Sequence, residues 1–166
     1  MPEIYGMAGH LIRRLNQISV SVFTEHMAAL GLELTPIQFA ALDILADRPG
    51  MDQATLAGTI AYDRVTIGGA IERLERKGLV IRNISSRDRR ARELYVSPRG
   101  KALLEQLRPE IWHLQDIVLR GLDSAERHQF LQLLQKATEA GNELSRAPLQ
   151  LQVLPLSPAD ADGDPD

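Results

Sequence analysis

Four arginines, Arg87, Arg89, Arg90 and Arg92, fall within six residues of the stretch SSRDRRARELYVS. Like charges at this density gain little from one another in an isolated hairpin, whereas the planar guanidinium fork matches the oxygens of a phosphate. The chemistry they suit is recognition of a polyanion. Catalytic chemistry has no comparable signature: there is no Gly-rich phosphate loop and no H-E-x-x-H, and the serines lack a recognisable nucleophile setting. His10, His26, His113 and His128 are widely spaced, and the single Glu110-x-x-His113 has no second copy of the kind a helix-bundle metal site needs. A binding protein is expected, not an enzyme, with no cofactor and no metal.

The formal net charge of −3 looks unsuited to an anionic partner, but the charge is unevenly placed. From Arg64 to Lys101 there are eleven Lys/Arg against four Asp/Glu, so this segment is the electrostatic footprint. The last ten residues, SPADADGDPD, carry four Asp and no base, a composition that predicts disorder. No cysteine is present, which removes disulfides, thiolate zinc sites and thiol redox sensing together. Neither a long apolar run nor an export signal occurs, so a cytoplasmic, membrane-free protein is expected.

These arginines need elements to hold them. Leu11, Leu15, Ile18, Val22 and Met27 give helical spacing from about Met7 to Leu30, with Gly31 as a stop. Thr35, Pro36 and Gln38 then supply an N-cap, a first-turn proline and a capping box for a second helix carrying Phe39, Leu42 and Leu45. Asp52 can cap a short third helix; Asp63 can cap a fourth with Ile67, Ile71 and Leu74 at i, i+4 and i+7. Two short helices across a tight turn make a helix-turn-helix. After Gly78, LVIRNI and RELYVS read as strands around an arginine-rich turn, forming a basic hairpin. Ser97-Pro98 opens a long helix, and Asp123 with Glu126 starts the last. The fold class is mainly α: a winged helix-turn-helix with a two-stranded β wing and a helical dimerisation region. A short helix against duplex DNA with a basic hairpin beside it can reach bases and phosphates together. If Ile67, Ile71 and Leu74 merely fill a core and the arginines merely face solvent, the arginine density is unexplained.

The segment from Asp52 to Leu103 resembles the winged helix of the MarR family of bacterial transcriptional regulators. RLERKGLVIR, SSRDRRARELYVSPRGKALL and the D-x-R motif at Asp88 and Arg90 carry the likeness. It implies a protomer over 1–144, with a dimerisation region over 1–34 and 97–144, a DNA-binding region over 35–96, and a disordered acidic tail over 145–166. It further implies a homodimer whose two heads meet consecutive major grooves of double-stranded DNA at a pseudo-palindromic site, usually as a repressor relieved by a small molecule. Asp88 is expected to pair with Arg90 and hold the wing while Arg87 or Arg89 enters the minor groove; the alternative readings are a ligand-independent DNA-binding protein and a winged-helix module for an acidic protein partner.

On the fourth helix, the face opposite its apolar stripe holds Val65, Gly69, Glu72 and Arg76, with Arg64, Gly68 and Arg73 at the margins. Family members often carry polar or basic side chains where this sequence has Gly68 and Gly69. Each glycine costs roughly 0.8–1 kcal/mol relative to Ala in a helix interior. Either the bare backbone lets the helix sit deep in the groove, with Arg64, Thr66 and Arg73 as polar contacts and Val65 against a thymine methyl, or the helix is locally flexible and reads poorly. On the first helix His10, Arg14, Gln17 and Ser21 form a polar seam. Two readings stand: the rim of a dimer interface, or a pocket in which Arg14 grips an aromatic carboxylate, His10 donates a hydrogen bond and Trp112 forms a wall.

Overall fold

The computed structural model describes residues 2–85 and 92–150. Arg87, Asp88, Arg89 and Arg90 therefore lie outside the described residues. A short 3-10 turn, Glu3–Gly6, precedes helix α1, Ala8–Ala29, which stops where Gly31 adopts a φ of 69°. Helix α2, Pro36–Asp47, begins in the expected capping box: the Gln38 N–H donates to Thr35 Oγ1 and the Thr35 N–H donates back to Gln38 Oε1. Gln38 is thereby satisfied although almost wholly buried.

Helices α3, Gln53–Thr59, and α4, Arg64–Arg76, pack on α2 and bury Leu56, Ile67, Ile71 and Leu74 in one core with Leu42 and Leu45. Gly78, with φ 68°, turns the chain out of α4 into strand β1, Val80–Ile84. Strand β2, Arg92–Val96, pairs with it antiparallel from Val80↔Val96 to Ile84↔Arg92. Leu94 also exchanges hydrogen bonds with the 50–51 segment, its N–H donating to Met51 O at 2.8 Å and its carbonyl accepting from the Gly50 N–H at 2.9 Å. The hairpin is thus locked to the turn before α3.

Helix α5, Pro98–Val118, starts under Ser97, whose hydroxyl accepts from the Gly100 N–H and donates to Gly78 O. Helix α6, Ser124–Ala140, opens in the Asp123–Glu126 capping box and buries none of its residues. The apolar stripe of α1 is buried within the protomer only towards its C-terminal end. Phe23 and Met27 are buried, whereas Leu11 and Ile18 are exposed, as are Leu131 and Leu133 on α6. Residues 145–150, expected to belong to the disordered tail, are instead ordered. Residues up to Gln150 fold back, held by hydrogen bonds between Asn142 and Leu149 and from the Gln150 N–H to Gly58 O. Among the described residues no helix is long and apolar enough to cross a membrane.

Gly100 fixes α5 to the head. A Cβ there would stand 2.3 Å from the Leu79 carbonyl oxygen, a backbone atom with nowhere to retreat. Gly100→Ala is expected to destabilise by about 1–3 kcal/mol, the cost of overpacking. Urea denaturation checks this; an unchanged midpoint would contradict the close approach.

Candidate nucleic-acid interface

Two aspartates set the geometry. Asp52 accepts from the Ala54 and Thr55 N–H groups and from the Thr55 hydroxyl, capping α3. Asp63 accepts from the Thr66 N–H at 2.9 Å and the Thr66 hydroxyl at 2.5 Å, capping α4. Partial burial opposes ionisation of Asp52, but the hydrogen bonds from Thr55 and Ala54 and the charge of Arg64 together outweigh it, holding its pKa below the ordinary value of 3.8. The Thr66 hydroxyl, then the Thr66 N–H, lower that of Asp63. Thr66, expected as a polar DNA contact, therefore has its hydroxyl proton committed to the cap, leaving only its oxygen to accept.

The turn between the helices runs through Ala61, the sole non-glycine residue at positive φ (54°) among the described residues. Its N–H donates to Gly58 O and that of Tyr62 to Ala57 O, so the left-handed step is held by the backbone without the usual glycine. Nothing in the periodicity signals it.

Helix α4 buries Ile67, Ala70, Ile71 and Leu74 and turns Arg64, Val65, Thr66, Glu72, Arg73 and Arg76 to solvent. Val65 is 85% exposed, an apolar side chain offered outward. The paired glycines have separate tasks. A Cβ on Gly69 would meet only Arg73 Nη1 at 3.9 Å, so its outward surface is open. A Cβ on Gly68 would stand 3.0 Å from Gln53 Nε2, the amide that donates across the turn to Arg64 O at 3.4 Å. Gly68 thus faces α3 and Gln53, not a free groove. Sequence reasoning missed Gln53 because its contact joins two helices. Beside α4, the register leaves seven residues, 85–91, between the strands, and Arg87, Asp88, Arg89 and Arg90 fall in this connection.

This arrangement has close counterparts. A family model described as "MarR family" matches residues 34–91, from the end of the α1–α2 connection into the wing. The HTH-type transcriptional repressor NicR of Pseudomonas putida is 31% identical over 138 residues, which cover 83% of this chain and 86% of NicR. The chain belongs to the MarR family. Bordetella bronchiseptica BpsR, whose DNA binding is regulated by 6-hydroxynicotinic acid, superposes with a TM-score of 0.75 at 31% identity, covering 80% of this chain and 94% of BpsR. PcaV of Streptomyces coelicolor, solved in complex with its natural ligand, gives 0.74 at 27% identity, covering 85% and 98%. The chain is a DNA-binding transcriptional regulator of this family, with the winged fold read from its sequence.

The residues expected to hold an effector do not converge within the protomer. Gln17 accepts from Arg13, not Arg14, and Ser21 donates to Glu25. The His10 ring meets Tyr5 edge-on at 5.6 Å, with its Nε2 buried and unpartnered. Arg14 is exposed, and Trp112, 75% exposed, stands on α5 beside a different cavity. That cavity, of about 490 Å³, is walled by Phe39, Ile111, Trp112, Leu119 and Leu131. At it Arg108 donates through Nε and Nη2 to Asp43 Oδ1, at 3.1 and 3.0 Å. Neither partner was legible as a site, because they lie 65 residues apart.

Both cap carboxylates have lowered pKa values in the folded chain, so their stabilisation is complete above the unfolded value near 4 and is lost as pH falls through the lower folded one. Thermal melts of Asp52→Asn/Asp63→Asn should lie below the parent at neutral pH, because an amide nitrogen cannot accept the Thr55 and Thr66 hydroxyls as the second carboxylate oxygen does, and should fall less below pH 4, converging on the parent. An identical acid decline would contradict the role of these caps. Gly69→Ala should raise stability by about 1 kcal/mol, because the added methyl meets open space, yet weaken operator binding. Gly68→Ala should gain less stability, since Gln53 must move. Equal gains in melts of the two variants would refute their separate tasks.

Proposed function

We propose that this regulator is a homodimeric repressor that occupies a pseudo-palindromic operator and is released by a small aromatic carboxylate. The observation that carries the reading is the outward face of α4, with Arg64, Val65, Gly69, Arg73 and Arg76 placed beside the arginine-rich hairpin. An apolar tip, an open backbone and flanking guanidiniums suit a helix pressed into a major groove, where Val65 meets a thymine methyl and the arginines take guanine edges or phosphates. Arg87 or Arg89, in a wing steadied by the pairing of Asp88 with Arg90, extends the contact toward the adjoining minor groove.

Dimerisation is supported by apolar surface left without cover: Leu11, Ile12 and Ile18 on α1 and Leu131 and Leu133 on α6 are all exposed. Leu11 and Ile12 of α1 line one open cavity with Leu131 of α6, and uncovered apolar surface shared by two helices suits a two-fold interface with a second copy. The seam of His10, Arg14, Gln17 and Ser21 then lies at its rim. Two heads fixed by this interface read half-sites roughly 34–36 Å apart, one turn of DNA.

For the effector, the cavity beside Trp112 offers aromatic and aliphatic walls with one guanidinium, that of Arg108. A ligand carboxylate would take Arg108 from Asp43, and that exchange acts on α2 and α5, which join the dimer helices to the heads. Moving the heads apart lowers operator affinity because both must fit one DNA register. The regulation of BpsR by 6-hydroxynicotinic acid supports this ligand class.

Genomic footprinting should return sites with two half-sites one helical turn apart. At such a site Arg64→Ala and Arg73→Ala should each lower affinity, and removing an arginine that binds a phosphate should reduce the salt slope by about one unit. Calorimetry with 6-hydroxynicotinate, benzoate and salicylate should give binding that Arg108→Ala abolishes, with matching release from DNA. Single half-sites, or no heat and no release with any of these acids, would sink the dimeric and effector parts of the proposal respectively.

A further inference from the structure

We infer that the acidic segment 151–166 docks on the basic face of the same protomer's reading head and competes with DNA for it. This rests on the DNA-binding reading and adds a regulator internal to the chain.

The path of the chain carries the argument. After α6 the backbone does not leave into solvent. The Leu149 N–H donates to Asn142 Oδ1 at 2.7 Å, and Asn142 Nδ2 donates to Leu149 O at 3.0 Å, which clamps a strap. The Gln150 N–H then donates to the carbonyl of Gly58, on α3, at 2.8 Å. Gly58 makes room for the strap, since a Cβ there would stand 2.7 Å from Gln150 Oε1 and 3.2 Å from its Cβ. Arg146, Pro148 and Gln150 share one cleft with Tyr62, Asp63 and Arg64. The following segment is therefore delivered to the N-terminal end of the recognition helix.

Its composition complements what it meets there. Residues 151–166 contain Asp160, Asp162, Asp164 and Asp166 and no Lys or Arg, whereas Arg64 to Lys101 carries eleven Lys/Arg against four Asp/Glu. At coil dimensions the nine residues between Gln150 and Asp160 span on the order of 15–18 Å. Helix α4, at about 1.5 Å per residue, is roughly 20 Å long. Its basic face lies within reach of the carboxylates, and a tether this short holds them at an effective concentration on the order of millimolar. Carboxylates that pair with these arginines must be displaced before phosphates can bind, and salt weakens both pairings. The strap selects this occupant over a separate acidic protein, because it aims the segment at the head before any partner arrives.

The chain has no cysteine, so a nitroxide on Ser157→Cys reports where the segment sits. In full-length protein at 50 mM salt, amide signals along Arg64–Arg76 should broaden and recover on adding operator DNA or raising salt to 300 mM. In parallel, truncation after Gln150 should tighten DNA binding about tenfold at 50 mM salt and less than twofold at 300 mM. Asn142→Ala, which frees the strap without changing charge, should tighten binding about two- to threefold at 50 mM. No broadening on α4, or equal affinity with and without the segment, overturns the inference. So does a gain on truncation that Asn142→Ala does not share, since that is a net-charge effect without docking. If neither full-length nor truncated protein holds duplex DNA, the DNA-binding reading itself fails.

Discussion

Everything in the head depends on α4 burying one face completely while leaving the other almost bare. Ile67, Ile71 and Leu74 are fully covered by α2, α3 and the start of the hairpin, which fixes the rotation of the helix about its axis. A one-sided anchor of this kind decides which residues DNA can meet before any charge is considered. The two aspartate caps then fix where α3 and α4 begin, and Leu94, opposite Arg82 of β1 and bonded through its N–H and carbonyl to the 50–51 segment, fixes the hairpin relative to them.

Within that frame the adjacent glycines answer different demands. At Gly68 the missing side chain admits Gln53, so its absence serves helix-helix packing inside the turn. At Gly69 nothing but a distant guanidinium approaches, so the helical stability forgone there has no return within the protomer. That asymmetry is the ground for proposing that Gly69 faces a partner outside the chain. Arg73, which lies over Gly69, and the strongly exposed Val65 frame the same opening.

Much of the fold was legible because its signals are local. Thr35, Asp52, Asp63, Ser97 and Asp123 each bond to backbone within three residues, so their helices start where sequence places them. The two strands of the hairpin followed from LVIRNI and RELYVS on either side of a charged turn. What sequence hid depends on distant partners. Gln53 against Gly68, Arg108 with Asp43, Gly100 against Leu79 and the strap on Gly58 all join separate elements. Ala61 was hidden for another reason: its left-handed turn is held by neighbouring hydrogen bonds in place of the glycine that would have announced it. Part of the polar seam on α1 is taken up within its own helix, where side chains four residues apart satisfy one another, as Arg13 with Gln17 and Ser21 with Glu25 do.

The central claim is that the open face of α4 reads sequence, rather than merely adding positive charge. Its most direct test is the ratio of affinities for a footprinted genomic site and a scrambled duplex of equal length, measured by fluorescence anisotropy at one fixed physiological salt concentration. The account predicts a ratio of about 10³ or more, collapsing when the thymines facing Val65 are replaced by uracil. Equal affinity for the two duplexes would contradict it.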